Sequence, residues 1–361
     1  MTLPGPFTEP TSRSSASQPP RTPIHDVSLD ALRIVATLMV LLIHISGKGF
    51  AGIHLPHWWA INTWESVSRV CVPLFFMITG ALLLPREHSV KSILKRAWRI
   101  LYVLVAWSII FFTYLHFRHG TAPVDTWLDS IAKGPVIGHL WYLYALIPAY
   151  FVIPVLSSFH RNTALPMQIL VLVVWVLGSS MIPFLDRFTG TVRLGLDFHF
   201  FYIYPAYILA GAIFYRHVRM TPARAALAFL VWIAATGCTA FCTWFYSKDL
   251  PVNTELFYEY FAPLVVIATF ALFYSLRWFA SFLADRCPRS SRALTFFGSL
   301  SFGVYLIHPA IIWEFEGQGY AWNFTNPWIA VPALLLGVSI VSGAITWAVR
   351  RTVGLRWLIP G

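Results

Sequence analysis

The sequence predicts an all-α, polytopic membrane protein with about ten transmembrane helices and both termini in the cytoplasm. Three observations predict it: composition, the spacing of apolar runs and the distribution of cations. Of 361 residues 57% are apolar and 11% charged, whereas soluble domains carry about a quarter of their residues as charged groups. So few charges cannot cover a water-facing surface. A spanning helix needs roughly 20 mostly apolar residues, and runs of about that length lie at 29–49, 63–85, 98–117, 138–157, 167–185, 199–216, 223–246, 258–280, 294–314 and 327–349.

In chain order, residues 1–28 come first. They are dense in Ser, Thr and Pro (Pro4, Pro6, Pro10, Pro19, Pro20, Pro23), a composition that cannot bury a core and is expected to be disordered. They hold no apolar core of a signal peptide, so the first apolar run stays attached as an anchor helix. Residues 29–350 form the transmembrane domain, with short loops and no expected soluble domain, and 351–361 a short cytoplasmic tail. The sixth run, 199–216, is barely long enough, aromatic-rich and carries Pro205; if it failed to cross, every later loop would change sides.

Lys and Arg accumulate on the cytoplasmic side of membrane proteins. The N-terminal tail, the even-numbered loops and the C-terminus hold 18 of the 26 cations, among them Arg86, Lys91, Lys95, Arg96, Arg99, Arg216, Arg219, Arg289, Arg350 and Arg356. The odd loops hold Lys48, Arg118, Lys133, Arg187, Arg193 and Lys248, with most of the acids, including Glu65, Asp125, Asp197, Glu255, Glu314 and Glu316. Topology and anionic headgroups thus account for the net charge of +11, and no nucleic-acid partner is expected. The four cysteines (71, 238, 242, 287) make no disulfide framework. Cys238 and Cys242 share a helix face but lack further ligands, so no metal site is expected, and there is no phosphate-loop or dinucleotide signature. The absence of an internal repeat disfavours common transporter architectures.

Ionisable groups inside spans are costly, which makes function the default hypothesis for them. The first run, LDALRIVATLMVLLIHIS, carries Arg33 near its cytoplasmic end and His44 near the other. Eleven helical steps return to within about 20° of the starting direction and cover about 16 Å. One helix face therefore presents a cation and an imidazole at different depths, with Asp30 placed to pair with Arg33. The bland alternative is a snorkelling anchor and a satisfied interior histidine. Glu65 and Arg69, at i and i+4, have the favourable order for a helical ion pair, and Ser68 and Thr79 can serve bundle neighbours.

Lys95, Arg96 and Arg99 precede the third run, where cations beside a helix N-terminus make either an anion site or a plain topological anchor. His139 opens the fourth run and His308 lies late in the ninth, both in the outer half with His44. The three could line one cavity with Tyr142, Tyr305 and Glu314, or each could be a packed residue. Other histidines are assigned no role.

In order, LDALRIVATLMVLLIHI, SRVCVPLFFMITGALLL, LKRAWRIL, HLWYLYALIPAYFVIPVL and SFGVYLIHPAII resemble acyltransferase family 3, the membrane-bound O-acyltransferases of bacterial glycans. The most specific elements are Arg, ten residues, His (Arg33, His44) and Arg-x-x-Arg (Arg96, Arg99). SRVCVPLFFMITG and HLWYLYALI resemble the branch containing the enterobacterial common antigen O-acetyltransferase. The resemblance implies O-acylation, most often O-acetylation, of a glycan or lipid-linked sugar at the bacterial cytoplasmic (inner) membrane. Acetyl-CoA would be co-substrate, with no bound cofactor and with polysaccharide-assembly proteins as possible partners. It implies His44 as general base or acyl carrier, Arg33 orienting the donor or stabilising its oxyanion, and Lys95, Arg96 and Arg99 on the CoA phosphates. Arg69, His139, Tyr142, Tyr305, His308 and Glu314 are candidates for an acceptor cavity. The rival readings are a glycan or lipid-linked-precursor transporter or flippase and a non-catalytic subunit of an export assembly.

Overall fold

The computed structural model describes residues 25–120, 127–190, 203–250 and 252–360, and among them every regular element is helical. The helices are α1 (Val27–Ser46), α2 (Trp58–Ser68), α3 (Cys71–Leu83), α4 (Val90–His119), α5 (Trp127–Lys133), α6 (Trp141–Asn162), α7 (Leu165–Val176), α8 (Ile182–Thr189), α9 (Ile203–His217), α10 (Pro222–Ser247), α11 (Pro263–Arg286), α12 (Pro288–Gly317) and α13 (Pro327–Arg351). Caps set several starts: Asp26 accepts from the Ser28 N–H at 2.9 Å, and Ser89 and Thr221 do the same for α4 and α10. Most of the expected tail (residues 1–24), together with Asp125, Arg193 and Asp197, lies outside the described residues.

Among the described residues nine helical spans are long and apolar enough to cross a membrane. The expected sixth crossing corresponds to α9, of which 15 residues are described; residues 199–202 of that run lie outside the described residues. The described part is mostly buried against protein. A Cβ on Gly80 would lie 1.8 Å from the Ile208 carbonyl oxygen, and one on Gly211 2.0 Å from that of Met77. Glycine at both positions lets α3 and α9 meet backbone to backbone, the small-residue packing of membrane interiors.

Loop contacts sort the molecule into two ends. At one, Ser157 donates to the Arg86 carbonyl (2.5 Å), Arg161 pairs with Glu87 (2.6 Å), the rings of His160 and His217 lie 5.7 Å apart, Tyr274 donates to the Arg219 carbonyl (2.8 Å) and Arg350 to that of Ser299 (2.8 Å). These contacts gather the even loops and the C-terminal segment, which carry most of the cations. At the other, Lys48 pairs with Glu316 (2.5 Å), Asn253 donates to the Phe50 carbonyl (2.5 Å) and Arg187 pairs with Glu259 (3.5 Å). Tyr207 donates to the Tyr260 carbonyl (2.6 Å) towards this acidic end, while His217 sits at the basic one. Helix α9 carries the chain from one end towards the other, and the alternation of loops is kept.

The central helix is α1, in contact with α2, α3, α11, α12 and α13. In its most apolar window 67% of residues are buried, against 28% in both Leu165–Thr189 and α10, whose exposed leucines form a lipid-facing rim. Beyond α13 the chain folds back: Trp107 of α4 donates to the Leu358 carbonyl at 2.9 Å, and Ile359 is buried.

Candidate active site

His44, in the last turn of α1, faces a cavity of about 430 Å³ at the acidic end. His139, in the turn before α6, and His308, on α12, converge on it: the His308 ring centroid is 5.2 Å from those of both His44 and His139, which are 6.4 Å apart. Three histidines distant in sequence thus form one cluster, with His308 fully buried behind the other two.

The dipeptide His308-Pro309 explains how the cluster is oriented. Proline has no N–H, so Pro309 leaves the carbonyl four residues earlier, that of Tyr305, without its helical partner. His308 Nδ1 donates to that carbonyl at 2.7 Å. A carbonyl only accepts, so Nδ1 of the neutral ring holds the proton and Nε2 the lone pair. Nε2 has no partner among the described residues. Tyr305 in turn donates its hydroxyl to the His139 carbonyl at 2.6 Å, tying α12 to the start of α6.

Glu65 and Arg69 form the expected pair, and it lines the same cavity. Glu65 is fully buried and also accepts from Ser46 Oγ at 2.5 Å, while the Arg69 guanidinium stacks 4.3 Å from the Tyr258 ring. Trp141 and Tyr260, stacked at 5.6 Å, add an aromatic wall.

At the basic end a second cavity of about 470 Å³ is lined by Asp30, Arg33, Arg99, Thr295 and Arg350. Arg33 donates to Asp30 at 2.6 Å; its side chain is 32% exposed while that of Asp30 is 3% exposed. A third, more open cavity of about 780 Å³ adjoins it, where Lys95, Arg99, Arg350 and Arg356 surround Trp98, Tyr102 and Trp357. These two share Arg99, Arg350 and Pro360, whereas the second and the histidine cavity share Phe75, Tyr142 and Tyr305. Three cavities therefore lie in series, and an aromatic collar closes the passage below His44.

Two candidates fall elsewhere. Glu314 faces away from the histidines, accepting from Tyr114 at 2.6 Å and Arg118 at 3.4 Å, because six helical steps from His308 turn it by about 240°. Arg96 lines neither basic-end cavity, whereas Lys95 and Arg99 do. Sequence reasoning also missed several lining residues. Arg350 and Arg356 read only as topological cations, and in sequence nothing sets Phe75, Trp141 and Tyr260 apart from the many other aromatics. His308-Pro309 was the one legible signal left unused.

A helical membrane protein whose cavities enter from both ends and meet near an imidazole cluster is suited to bringing two substrates together across a bilayer. The family model described as an acyltransferase domain matches residues 26–347, and the chain belongs to that family, acyltransferase family 3. It is a membrane acyltransferase. No curated relative and no solved structure matches the chain.

Proposed function

We propose that the protein is an O-acyltransferase, acetyl being the commonest group in its family, that moves an acyl group from cytoplasmic acyl-CoA to a hydroxyl of a cell-envelope or exported glycan. The observation that carries this reading is the series of cavities running from a basic mouth, through the aromatic collar, to His44. The distribution of Lys and Arg supports a cytoplasmic basic end, in keeping with a location in the bacterial cytoplasmic (inner) membrane.

Lys95, Arg99, Arg350 and Arg356 bind the donor's phosphates, Trp98 and Trp357 offer faces for its base, and the neutral arm enters past Arg33. Asp30 holds Arg33 in place to orient the donor on the basic side of the collar. His44, its ring 5.2 Å from that of His308 between centroids, presents the lone pair of one ring nitrogen to the cavity. With His44 as base, that lone pair takes the acceptor hydroxyl's proton as the oxygen attacks the thioester carbon. The C–S bond breaks and the proton passes to the leaving thiolate, giving ester and free CoA. As acyl carrier, the same nitrogen would attack the thioester first, releasing CoA before the hydroxyl displaces the imidazole. Arg69, His139, Tyr142 and Trp141 border the acceptor space. The branch resemblance points to a lipid-linked or surface polysaccharide as acceptor.

The test is acetyl-CoA-dependent O-acetylation by the protein in vesicles, with surface glycans analysed by mass spectrometry. His44→Ala should abolish both CoA release and ester formation, and retained activity in that variant overturns the proposal. A transporter reading draws on the same series of cavities; it requires substrate movement without CoA release, which the assay separates.

A further inference from the structure

We infer that the collar of Phe75, Tyr142 and Tyr305 selects the acyl group by length, admitting acetyl and holding back longer chains, with Phe75 as its moving part. The inference rests on the acyl-transfer reading above. These three residues are the wall common to the cavity holding Arg33 and the cavity holding His44, so an acyl group delivered from the basic end meets them before it meets the imidazole.

The three sides of the collar are not equally fixed. Tyr305 is buried, and its hydroxyl is bonded to the His139 carbonyl at 2.6 Å. Tyr142 is buried too, packed edge-on against Phe76 at 5.3 Å and 6.0 Å from the Tyr305 ring. Phe75, 5.7 Å from Tyr142 between ring centroids, is half-buried and has no polar atom to anchor it. Its backbone is held, since α3 is pressed against α9 at Gly80. The passage therefore opens by rotation of the Phe75 side chain and not by separation of helices.

Acetyl places a single methyl beyond the reacting carbon. With the reacting carbon at His44 the pantetheine arm fills the collar, so a longer chain must push its methylenes past Phe75, Tyr142 and Tyr305 into the cavity of about 430 Å³ that the acceptor hydroxyl also has to enter. Fitting extra methylenes into packed surroundings is penalised, by a factor of about ten or more per group in size-selecting sites.

The experiment compares kcat/KM for acetyl-, propionyl-, butyryl- and hexanoyl-CoA in vesicles containing the wild type, Phe75→Ala, Phe75→Leu or Phe75→Trp. The wild type should lose roughly ten-fold per added methylene over the first two. Phe75→Ala should raise the hexanoyl-to-acetyl ratio by about a hundred-fold, Phe75→Leu by less, and Phe75→Trp should lower it. Phe75→Leu and Phe75→Trp keep a large apolar side chain, so they decide the matter if Phe75→Ala does not fold. Transfer with the same chain-length profile in all variants, or a wild type indifferent to length, overturns the collar. No transfer of any acyl group by the wild type overturns the acyl-transfer reading itself.

Discussion

The chambers on either side of the collar hold their polar groups differently. Around the histidines the buried charges are tied to protein: Glu65 to Ser46 and Arg69, and Arg69 to the Tyr258 face, with His308 Nδ1 bonded to the Tyr305 carbonyl. At the basic end Arg33 and His25 share the buried Asp30, while Lys95, Arg99 and Arg356 are exposed. Exposed cations are screened and individually weak, but they exchange partners readily, which suits the reversible capture of a polyanion. Buried, bonded groups cost energy to assemble and in return present fixed dipoles. Exposed cations and buried, bonded charges are thus separated along the membrane normal.

That contrast can be broken first at His44. His44→Ala should lower transfer about 10²–10⁴-fold with little change in melting temperature, measured as ester formed by the purified protein in vesicles. Glu65→Ala strands the buried Arg69 charge and should destabilise the fold by about 3–5 kcal/mol, seen as an earlier thermal transition in detergent. Pro309→Ala sharpens the picture. It returns an N–H to the Tyr305 carbonyl and frees His308 Nδ1, so kcat should fall about ten-fold, as for loss of one positioned hydrogen bond, while the donor KM stays in place. At the other end, Arg350→Ala with Arg356→Ala should raise the acyl-CoA KM by about ten-fold, leave kcat unchanged and weaken the salt dependence of KM. Arg96→Ala, outside both basic cavities, should change KM by less than about two-fold; a larger rise would restore Arg96 to the phosphate site.

Depth was legible in the sequence and azimuth between helices was not. Periodicity along a single helix set Arg33 and His44 on one face, and alternation of loops set His44, His139 and His308 at one level. Level alone also drew in Glu314, which a turn of the helix carries away to Tyr114. Nothing in a run of apolar residues distinguishes Phe75 from Phe76, although the first borders both cavities and the second is fully buried in the core. Interhelical contacts decide such matters, and they join residues far apart in the chain. The marginal length of the sixth run was visible, but its packing, with Gly80 and Gly211 in backbone contact with the facing helix, depends on a pairing no local pattern encodes. Arg350 and Arg356 obeyed the charge rule so well that it hid their place in a cavity.

The folded-back segment after α13 has a consequence for assembly. Arg356, Trp357, Ile359 and Pro360 line the outermost basic cavity, and Pro360 reaches the next one. All of them are synthesised after the last spanning helix, and their docking on Trp107 joins them to a helix made two hundred and fifty residues earlier. A nascent chain partway through membrane insertion therefore has an incomplete mouth. The outermost basic cavity is finished only after α13 has packed on the bundle.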